Sequence, residues 1–170
     1  MAGSLTSRTA RSDLTAAQWR AAMGCFPSGV TVVTTWEGDK PVGTTVNAFC
    51  SVSLEPPLLL ICLDYANPAL SPMERCGVFG VNILNAESRE LALHFSRNPE
   101  EDRFAGLTHR ARVGGAPQLQ AAPVFIDCAV EHSYEGGDHR IVVGRGLHIE
   151  HASEMPPLLY HKGCFPKFEA

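Results

Sequence analysis

The sequence lacks long hydrophobic runs and has no excess of positive charge. No apolar stretch approaches the roughly 20 residues that a membrane-spanning helix needs, and the N-terminus has no apolar centre like that of a secretory signal. The formal net charge is −4 at pH 7, and no segment is rich enough in lysine and arginine to form a broad basic face. We therefore expect a cytoplasmic protein that binds neither membranes nor nucleic acids.

Paired cysteine motifs are also missing. The six cysteines are scattered along the chain with no CxxC pair. Several of them lie in apolar segments typical of strands. Because disulfides form mainly in secreted proteins, and no secretory signal is seen, the pattern predicts buried free thiols rather than disulfides.

The familiar motifs of several enzyme classes are absent as well. The chain contains no GxxxxGK[ST], HExxH or GxSxG sequence, which removes the usual sequence evidence for an ATPase, a zincin or an α/β-hydrolase. Gly144-Arg145-Gly146 begins like a dinucleotide fingerprint, but the third glycine does not follow. His148 and His151 are three residues apart, and a strand would put them on opposite faces. We therefore predict no metal site.

What remains is the composition of an ordinary globular domain. The chain has 170 residues, of which 45% are hydrophobic and 19% charged. Residues 1–13 are rich in Ser, Thr, Arg and Ala without an apolar period, so we expect a flexible lead. Residues 14–170 are long enough for one domain with its own core.

The first predicted helix follows this lead. Thr15 and Gln18 have the spacing of a capping box. Trp19, Met23 and Phe26 then repeat at helical spacing on one face. These features predict an amphipathic helix whose apolar face packs on the rest of the domain.

Beyond this helix, strand signals dominate. Apolar or β-branched segments predict strands at 30–35, 58–63, 78–84, 124–131 and 140–149, with 124–131 alternating between a buried and an exposed face. Cap and proline signals predict short helices at 67–75, at 85–95 and after 98–101, the last carrying Arg103 and Phe104. Residues 106–122 show no interpretable pattern. Since no regular βαβ alternation occurs, we predict a mainly β fold, an antiparallel barrel with short peripheral helices.

The most informative stretch is 42–63, where small polar residues run directly into an apolar strand. Thr44, Thr45, Asn47, Ser51 and Ser53 supply hydrogen-bonding side chains just before this strand. Taken alone, the pattern favours a Thr-rich strand and a Ser-rich turn whose hydroxyls bond to nearby backbone. A ligand-binding platform is the alternative.

Five motifs in one order resemble a known family. They are GTTVNAFCSVSLEPPLLLICL, GVFGVNILNAESRELALHFS, DRF, GGDHRIVVGRG and PLLYHKGCF, and they extend over residues 19–165. Together they resemble the short-chain flavin reductases, the reductase components of two-component flavin-dependent monooxygenases. The resemblance implies the FMN-binding split-barrel fold.

The resemblance also implies which residues bind ligands. The flavin would contact Thr44, Thr45, Asn47, Ala48, Phe49, Cys50, Ser51, Asp64, Tyr65 and Asn67, with Arg103 near its phosphate. NAD(P)H would contact Gly137, Asp138, His139 and Tyr160, where His139 orients the nicotinamide and Tyr160 forms a far wall, from the same or a second subunit. Without the family, Arg103 is equally well a solvated cation on a helix, Asp138 a residue that fixes its turn through its own backbone, and His139 a structural residue of a hairpin.

The function implied by the resemblance is hydride transfer from NADH, or alternatively NADPH, to FMN or FAD. Free reduced flavin would then reach a partner monooxygenase, and the reductase would be a homodimer. Two alternatives stay open: a flavoenzyme of the same fold that retains its flavin for another substrate, and a non-enzymatic flavin carrier or sensor. The cofactors carry the chemistry, so we expect alignment to matter more than any acid or base.

Overall fold

The computed structural model of the chain describes residues 13–97, 102–152 and 155–168. Its elements in chain order are α1 (Ala16–Met23), β1 (Ser28–Gly29), β2 (Thr31–Glu37), β3 (Lys40–Val46), β4 (Phe49–Leu54), β5 (Pro57–Asp64), α2 (Leu70–Cys76), β6 (Val78–Ile83), α3 (Arg89–Ser96), β7 (His109–Arg110), β8 (Gln118–Leu119), β9 (Val124–Gly136), β10 (His139–His151) and β11 (Leu159–Tyr160). A short 3-10 helix, Ala86–Ser88, leads into α3. The predicted flexible lead falls, apart from Asp13, outside the described residues.

The largest sheet contains seven antiparallel strands in the order β3-β2-β6-β9-β10-β5-β4. β3 returns to contact β5, so the sheet curls on itself, while β4 remains an edge strand with mostly exposed side chains. The mainly β, antiparallel class with short helices is confirmed. The last residues of β3 and β5 and the first residue of β10 lie at the same end of the barrel.

Side chains of β5, the apolar strand of the 42–63 stretch, pack in the centre of the barrel. In β5, Leu59, Ile61 and Leu63 are buried and alternate with partly buried neighbours, which confirms the predicted strand. They pack with Phe79 and Met73 in one core cluster. Burying side chains of this size is worth about 1.5–3 kcal/mol each, so β5 is held firmly in place.

A second core cluster lies under α3. Phe95 is fully buried and meets the ring of Phe104 edge-on, with 5.2 Å between ring centroids. Gly43 of β3 makes this packing possible, because a Cβ atom there would lie 2.7 Å from the Phe95 ring. The helix predicted at 85–95 is therefore confirmed in substance, although its first turn is the 3-10 helix.

The first helix differs from its prediction in its packing. The capping box is present: Gln18 N donates to Thr15 Oγ1 at 3.2 Å and Thr15 N donates to Gln18 Oε1 at 2.9 Å. No residue of α1 is buried, and Trp19 is 55% exposed. The prediction that its apolar face packs on the barrel is wrong for the single chain, because helical periodicity does not specify what covers the face.

Two other helix predictions need correction. Asn67 does not cap a helix: its Oδ1 accepts from Ala69 N at 3.0 Å in a local turn, and α2 begins only at Leu70. Gly77, with φ of 74°, ends α2 as the sequence suggested. Arg103 and Phe104 lie in a turn rather than a helix, whereas the start signal at 98–101 lies outside the described residues.

Residues 106–122, which the sequence left uninterpreted, form a strap across the outside of β2, β6 and β9. Buried polar groups hold it. Asn82 Oδ1 accepts from Leu119 N at 2.8 Å, and Asp127 Oδ1 accepts from Ala116 N at 3.0 Å. Trp36 Nε1 donates to Gly115 O at 2.9 Å. The strap is therefore an ordered part of the barrel wall.

The strap also explains an error in the prediction for β9. The alternating pattern predicted one buried face, but both faces of the first half of this strand are largely covered. Phe125 and Asp127 are buried on the strap side, while Cys128 is buried in the barrel core. A second layer added by a distant segment leaves no trace in local periodicity.

The cysteine prediction is half right. All six thiols are free, as expected. Burial was predicted wrongly for most of them, since Cys128 is buried, Cys62 is intermediate and the other four are exposed. Burial raises the pKa of Cys128 to about 12, with a further contribution from the charge of Asp127, so this thiol stays protonated and inert.

Candidate active site

Several of the residues singled out by the sequence meet where β5 ends and β10 begins. In the β5–β10 ladder, Asp64 pairs with His139, so the end of β5 and the start of β10 lie side by side. Tyr65 N donates to Asp138 O at 3.3 Å, which extends this contact beyond the strands. Asn67 Nδ2 donates to Thr44 Oγ1 at 3.2 Å and joins the end of β3 to the same group. The proposed flavin and nicotinamide segments are therefore neighbours.

The two other polar residues that precede β4 face a different side. Thr45 Oγ1 donates to Ala92 O of α3 at 2.6 Å, and Asn47 Nδ2 donates to Ser28 Oγ at 3.3 Å. Both line a cavity of about 340 Å³ whose wall includes Tyr160 and Phe165. Thr45 thus has a structural hydrogen bond as well as a position on the cavity wall.

The turn from Asn47 to Ser51 presents backbone as well as side chains. Phe49 N donates to Asn47 O, and Ala48 O accepts from Cys62 N, both at 3.0 Å, which fixes the turn against β5. Cys50 and Ser51 follow on the exposed edge strand. An edge strand leaves N–H and C=O groups unpaired on its outer side. Alternating donors and acceptors of this kind fit the edge of an isoalloxazine ring.

The segment after β5 combines a rigid turn with an exposed ring. Asp64 Oδ1 accepts from Ala66 N at 2.7 Å, so this carboxylate holds its own turn. The Tyr65 side chain is 47% exposed, and the Arg140 guanidinium lies 5.6 Å from its ring centroid. The Tyr65 ring is thus oriented by a cation–π contact with Arg140.

The turn that carries Gly137, Asp138 and His139 is tight and ordered. Gly137 has φ of 73°, a left-handed conformation that favours glycine. Asp138 Oδ1 lies 2.7 Å from His139 Nδ1. The pKa of Asp138 is lowered, first by this hydrogen bond and the charge of His139, then by its own backbone N–H and the charge of Arg20. Asp138 thus contacts the His139 ring as well as its own backbone, the role that the sequence left as an alternative.

Tyr160 comes to this region from the C-terminal part of the same chain. β11 pairs with β1, and Tyr160 stands opposite Ser28, whose hydroxyl binds Asn47. The Tyr160 ring packs edge-on against Phe165, with 5.6 Å between centroids. Two cavities meet at Asn47 and Tyr160, the one of about 340 Å³ beside α3 and another of about 790 Å³ beside α1.

Arg103 is partly buried and lies in a turn, so it is not the solvated helix cation that its sequence context left as an alternative. Its Nη1 donates to Gly43 O at 2.9 Å and its Nη2 donates to Arg97 O, which fastens the guanidinium between β3 and the end of α3. Burial lowers the pKa of Arg103 without removing its charge. It lines a cavity of about 580 Å³ together with Lys40, Pro68 and His109.

This third cavity is adjacent to the Thr44–Asn67 pair, since Gly43 and Pro68 in its wall are their chain neighbours. Its wall carries the basic groups of Lys40, Arg103 and His109 and also the carboxylates of Glu37 and Asp102. His109 Nδ1 is buried without a hydrogen-bond partner in the described part of the chain. The basic groups are donors of the kind that bind a phosphate, while the two carboxylates oppose an anion. Sequence reasoning missed Lys40 and His109, because the first begins β3 directly after a hairpin turn and the second lies in the uninterpreted strap.

Two absences apply to the described ranges. No group of three or more His, Cys, Asp or Glu side chains there is arranged to hold a metal ion. Among the helices described, none has the length and apolar character to cross a membrane.

Comparison with known proteins identifies the family. Residues 23–169 match the family model described as flavin reductase like domain. The reductase subunit HsaB of a flavin-dependent monooxygenase from Rhodococcus jostii is 36% identical over 153 residues, which cover 89% of this chain and 77% of that protein. A flavin reductase from Pseudomonas putida is 36% identical over 155 residues, with 90% and 91% coverage.

A solved structure shows the same fold. The NADH:FAD oxidoreductase SgcE6 of Streptomyces globisporus, in complex with NAD and FAD fragments, superposes with a TM-score of 0.84 at 35% identity. The match covers 90% of this chain and 92% of that one. The split-barrel fold implied by the sequence resemblance is thereby confirmed. The chain belongs to the family of flavin reductase like domain proteins.

Proposed function

We propose that the chain is an NADH:flavin oxidoreductase that supplies reduced flavin to a separate flavin-dependent monooxygenase. Family membership supports the reaction class, and the similarity to a monooxygenase reductase subunit supports the biological role. The observation that carries the proposal is structural. Two sequence segments about 70 residues apart, one predicted to bind flavin and the other nicotinamide, meet through the Asp64–His139 pair.

The flavin ring is proposed to lie along the turn between β3 and β4. Asn47, Ala48, Phe49, Cys50 and Ser51 would contact its edge through backbone and side chains, because the exposed edge of β4 has unpaired hydrogen-bonding groups there. Thr44 and Thr45 would adjoin this edge. When bound, the flavin accepts a hydride from the dihydronicotinamide.

The flavin tail is proposed to continue past Asp64, Tyr65 and Asn67 into the cavity of about 580 Å³ that Arg103 lines. There Arg103 would hold the phosphate, with Lys40 nearby. Because backbone carbonyls already orient the Arg103 guanidinium, its position does not have to be fixed by the ligand. Bound FMN and FAD would share this contact.

The nicotinamide is proposed to bind between Gly137, Asp138 and His139 on one side and Tyr160 on the other. Asp138 holds the His139 ring through Nδ1, which leaves the Nε2 edge to face a ligand. Gly137 allows close approach, and Tyr160 supplies an aromatic wall in the same chain. These residues orient the donor rather than transfer protons, so single substitutions should cause graded losses.

Turnover with free flavin tests this function. Purified protein is mixed in aerated buffer with excess NADH and catalytic amounts of FMN or FAD. Dissolved oxygen reoxidises the released reduced flavin, so the flavin can accept hydride repeatedly. The absorbance of NADH is followed at about 340 nm. Oxidation of NADH far beyond the amount of protein supports the proposal. Retained yellow flavin without turnover would instead identify a flavin carrier and contradict it.

A pair of variants assigns the two ligand segments. His139→Gln should raise the KM for NADH about three- to tenfold while leaving the KM for FMN nearly unchanged, as expected for lost binding of one ligand. Asn47→Ala should do the reverse. His132→Gln is the matched control, since His132 is an exposed histidine on the neighbouring strand β9. Equal effects of both site variants on both substrates would contradict the assignment.

We also propose that the enzyme is a homodimer in the reducing cytoplasm, and that reduced flavin reaches the monooxygenase by diffusion or in a transient complex. The exposed apolar residues of α1, together with Val52 and Leu54 of β4, support a second copy. The free thiols fit a reducing compartment. Light scattering on the purified protein tests the dimer, and a monomer at micromolar concentration would contradict it.

A further inference from the structure

The cavity of about 790 Å³ beside α1 contains two cations that the proposed function has not used. Arg20 comes from the last turn of α1, and Lys162 comes from the turn after β11. Asn47 and Tyr160, proposed to contact the flavin and the nicotinamide, line the same cavity. A ligand that reached from the barrel end into this cavity would therefore meet both positive charges.

The backbone ties the two segments that carry these cations to each other. Lys162 N donates to Gly24 O at 3.2 Å, and Gly24 N donates to Arg20 O at 2.9 Å, so the turn is tied directly to the end of the helix. Lys162 has φ of 48°, a left-handed conformation that usually favours glycine. The backbone thus places both basic residues beside the same cavity.

The two charges also lack close partners. Within the ranges that the structure describes, no acidic group lies within ion-pair distance of Arg20 or Lys162, although most other arginines form ion pairs. In a chain of net charge −4, two unneutralised cations on one cavity create a local positive potential. Solvated surface cations are common, but these two face one cavity from different elements.

We propose that Arg20 and Lys162 bind the diphosphate of the reduced nicotinamide dinucleotide while its nicotinamide lies between His139 and Tyr160. This inference rests on the proposed function, which it deepens by naming the residues that select a dinucleotide. The charge of Arg20 also contributes to the lowered pKa of Asp138, the residue that precedes His139. The two cations are binding residues that do not touch the reacting atoms.

The test compares NADH with a donor that has no phosphate, 1-benzyl-1,4-dihydronicotinamide, in the full-length protein with FMN as acceptor. Arg20→Gln and Lys162→Gln should each raise the KM for NADH about five- to twentyfold and leave kcat within about twofold, as loss of a charge-assisted contact predicts. The KM for the phosphate-free donor should stay unchanged. Arg20→Lys should retain most of the affinity for NADH.

Arg75→Gln is the matched control, because Arg75 is an exposed arginine on α2 that pairs with Glu37 away from this cavity. It should leave both donors unaffected. Light scattering on every variant checks that the oligomeric state is unchanged.

Three results would overturn the inference. Equal losses with both donors would mean that Arg20 and Lys162 act on the structure alone. Unchanged kinetics with NADH would remove any role for them. A loss confined to FAD as acceptor, absent with riboflavin, would assign the two cations to the flavin diphosphate. Failure of the proposed function is distinct, since the unmodified protein would then oxidise neither donor.

Discussion

The helices α1 and α3 have the same length and similar apolar spacing, yet the barrel buries one and leaves the other exposed. α3 places Ala92 and Phe95 in the core against Phe104, while α1 buries no residue and exposes Trp19. The difference lies in the partner surface. Gly43 opens a space in β3 that accepts the Phe95 ring, whereas α1 borders a cavity of about 790 Å³. An amphipathic pattern therefore predicts a helix with a covered face, but not which molecule covers it.

The largest expected effect separates the two helices by stability. Phe95→Ala should lower the free energy of unfolding by about 3–5 kcal/mol, because it leaves a cavity in a rigid core. Phe26→Ala, next to α1, should lower it by less than about 0.5 kcal/mol, since Phe26 is 79% exposed. Urea denaturation of both variants measures the contrast. Similar losses would show that the region of α1 is packed as firmly as α3.

The next effect concerns what covers α1. If a second copy covers it, the double variant Trp19→Ser and Met23→Ser should raise the dissociation constant of the homodimer at least about tenfold, equivalent to about 1.4 kcal/mol. Analytical ultracentrifugation over a concentration series measures this constant. Val113→Ser serves as control, because Val113 is a fully exposed apolar residue on the strap. An unchanged dimer would place the interface elsewhere.

A smaller effect is expected where α3 is tied to the barrel by a hydrogen bond. Thr45→Val removes the bond from the hydroxyl to Ala92 O and should lower the free energy of unfolding by about 1 kcal/mol. Hydrogen exchange should show faster opening of α3 than of β5. Thr108→Val, at an exposed position of the strap, is the control. A loss no larger than that of the control would mean that packing alone holds α3.

The smallest effect concerns the electrostatic interaction between Arg20 of α1 and Asp138, which lies in the turn 137–139. His139→Gln should raise the pKa of Asp138 towards its ordinary value, and Arg20→Gln should raise it slightly, in the order of the interactions that lower it. A lowered carboxyl pKa stabilises the folded state above the unfolded pKa, and this contribution is lost as pH falls through the folded pKa. Both variants should therefore lose some of the stability that the native protein keeps above about pH 4. NMR titration of Asp138 measures the shifts, and an unmoved pKa in Arg20→Gln would mean that α1 is electrostatically independent of the turn.

The local sequence of this protein determined its strands and the identity of its family. β5 was predictable because an apolar run between prolines and Asp64 can be satisfied only by burial as a strand. The segments 42–51 and 137–139 stood out as candidate site residues because their motifs are contiguous. A motif of neighbouring residues can be recognised in the sequence because its local geometry does not depend on distant segments.

Tertiary structure alone decided the groups that come from distant segments. β11 brings Tyr160 to the cavity that Asn47 lines. Lys40 and His109 line one cavity with Arg103, although they come from β3 and the strap. Lys162 and Arg20 line another. The strap itself is fixed by Asn82 and Asp127, whose buried side chains bond to its backbone. Buried polar groups need partners wherever the fold provides them, and sequence distance does not constrain which partners these are. The apolar patterns of the sequence thus specified the strands, whereas the tertiary structure brought the strand ends together at the candidate site.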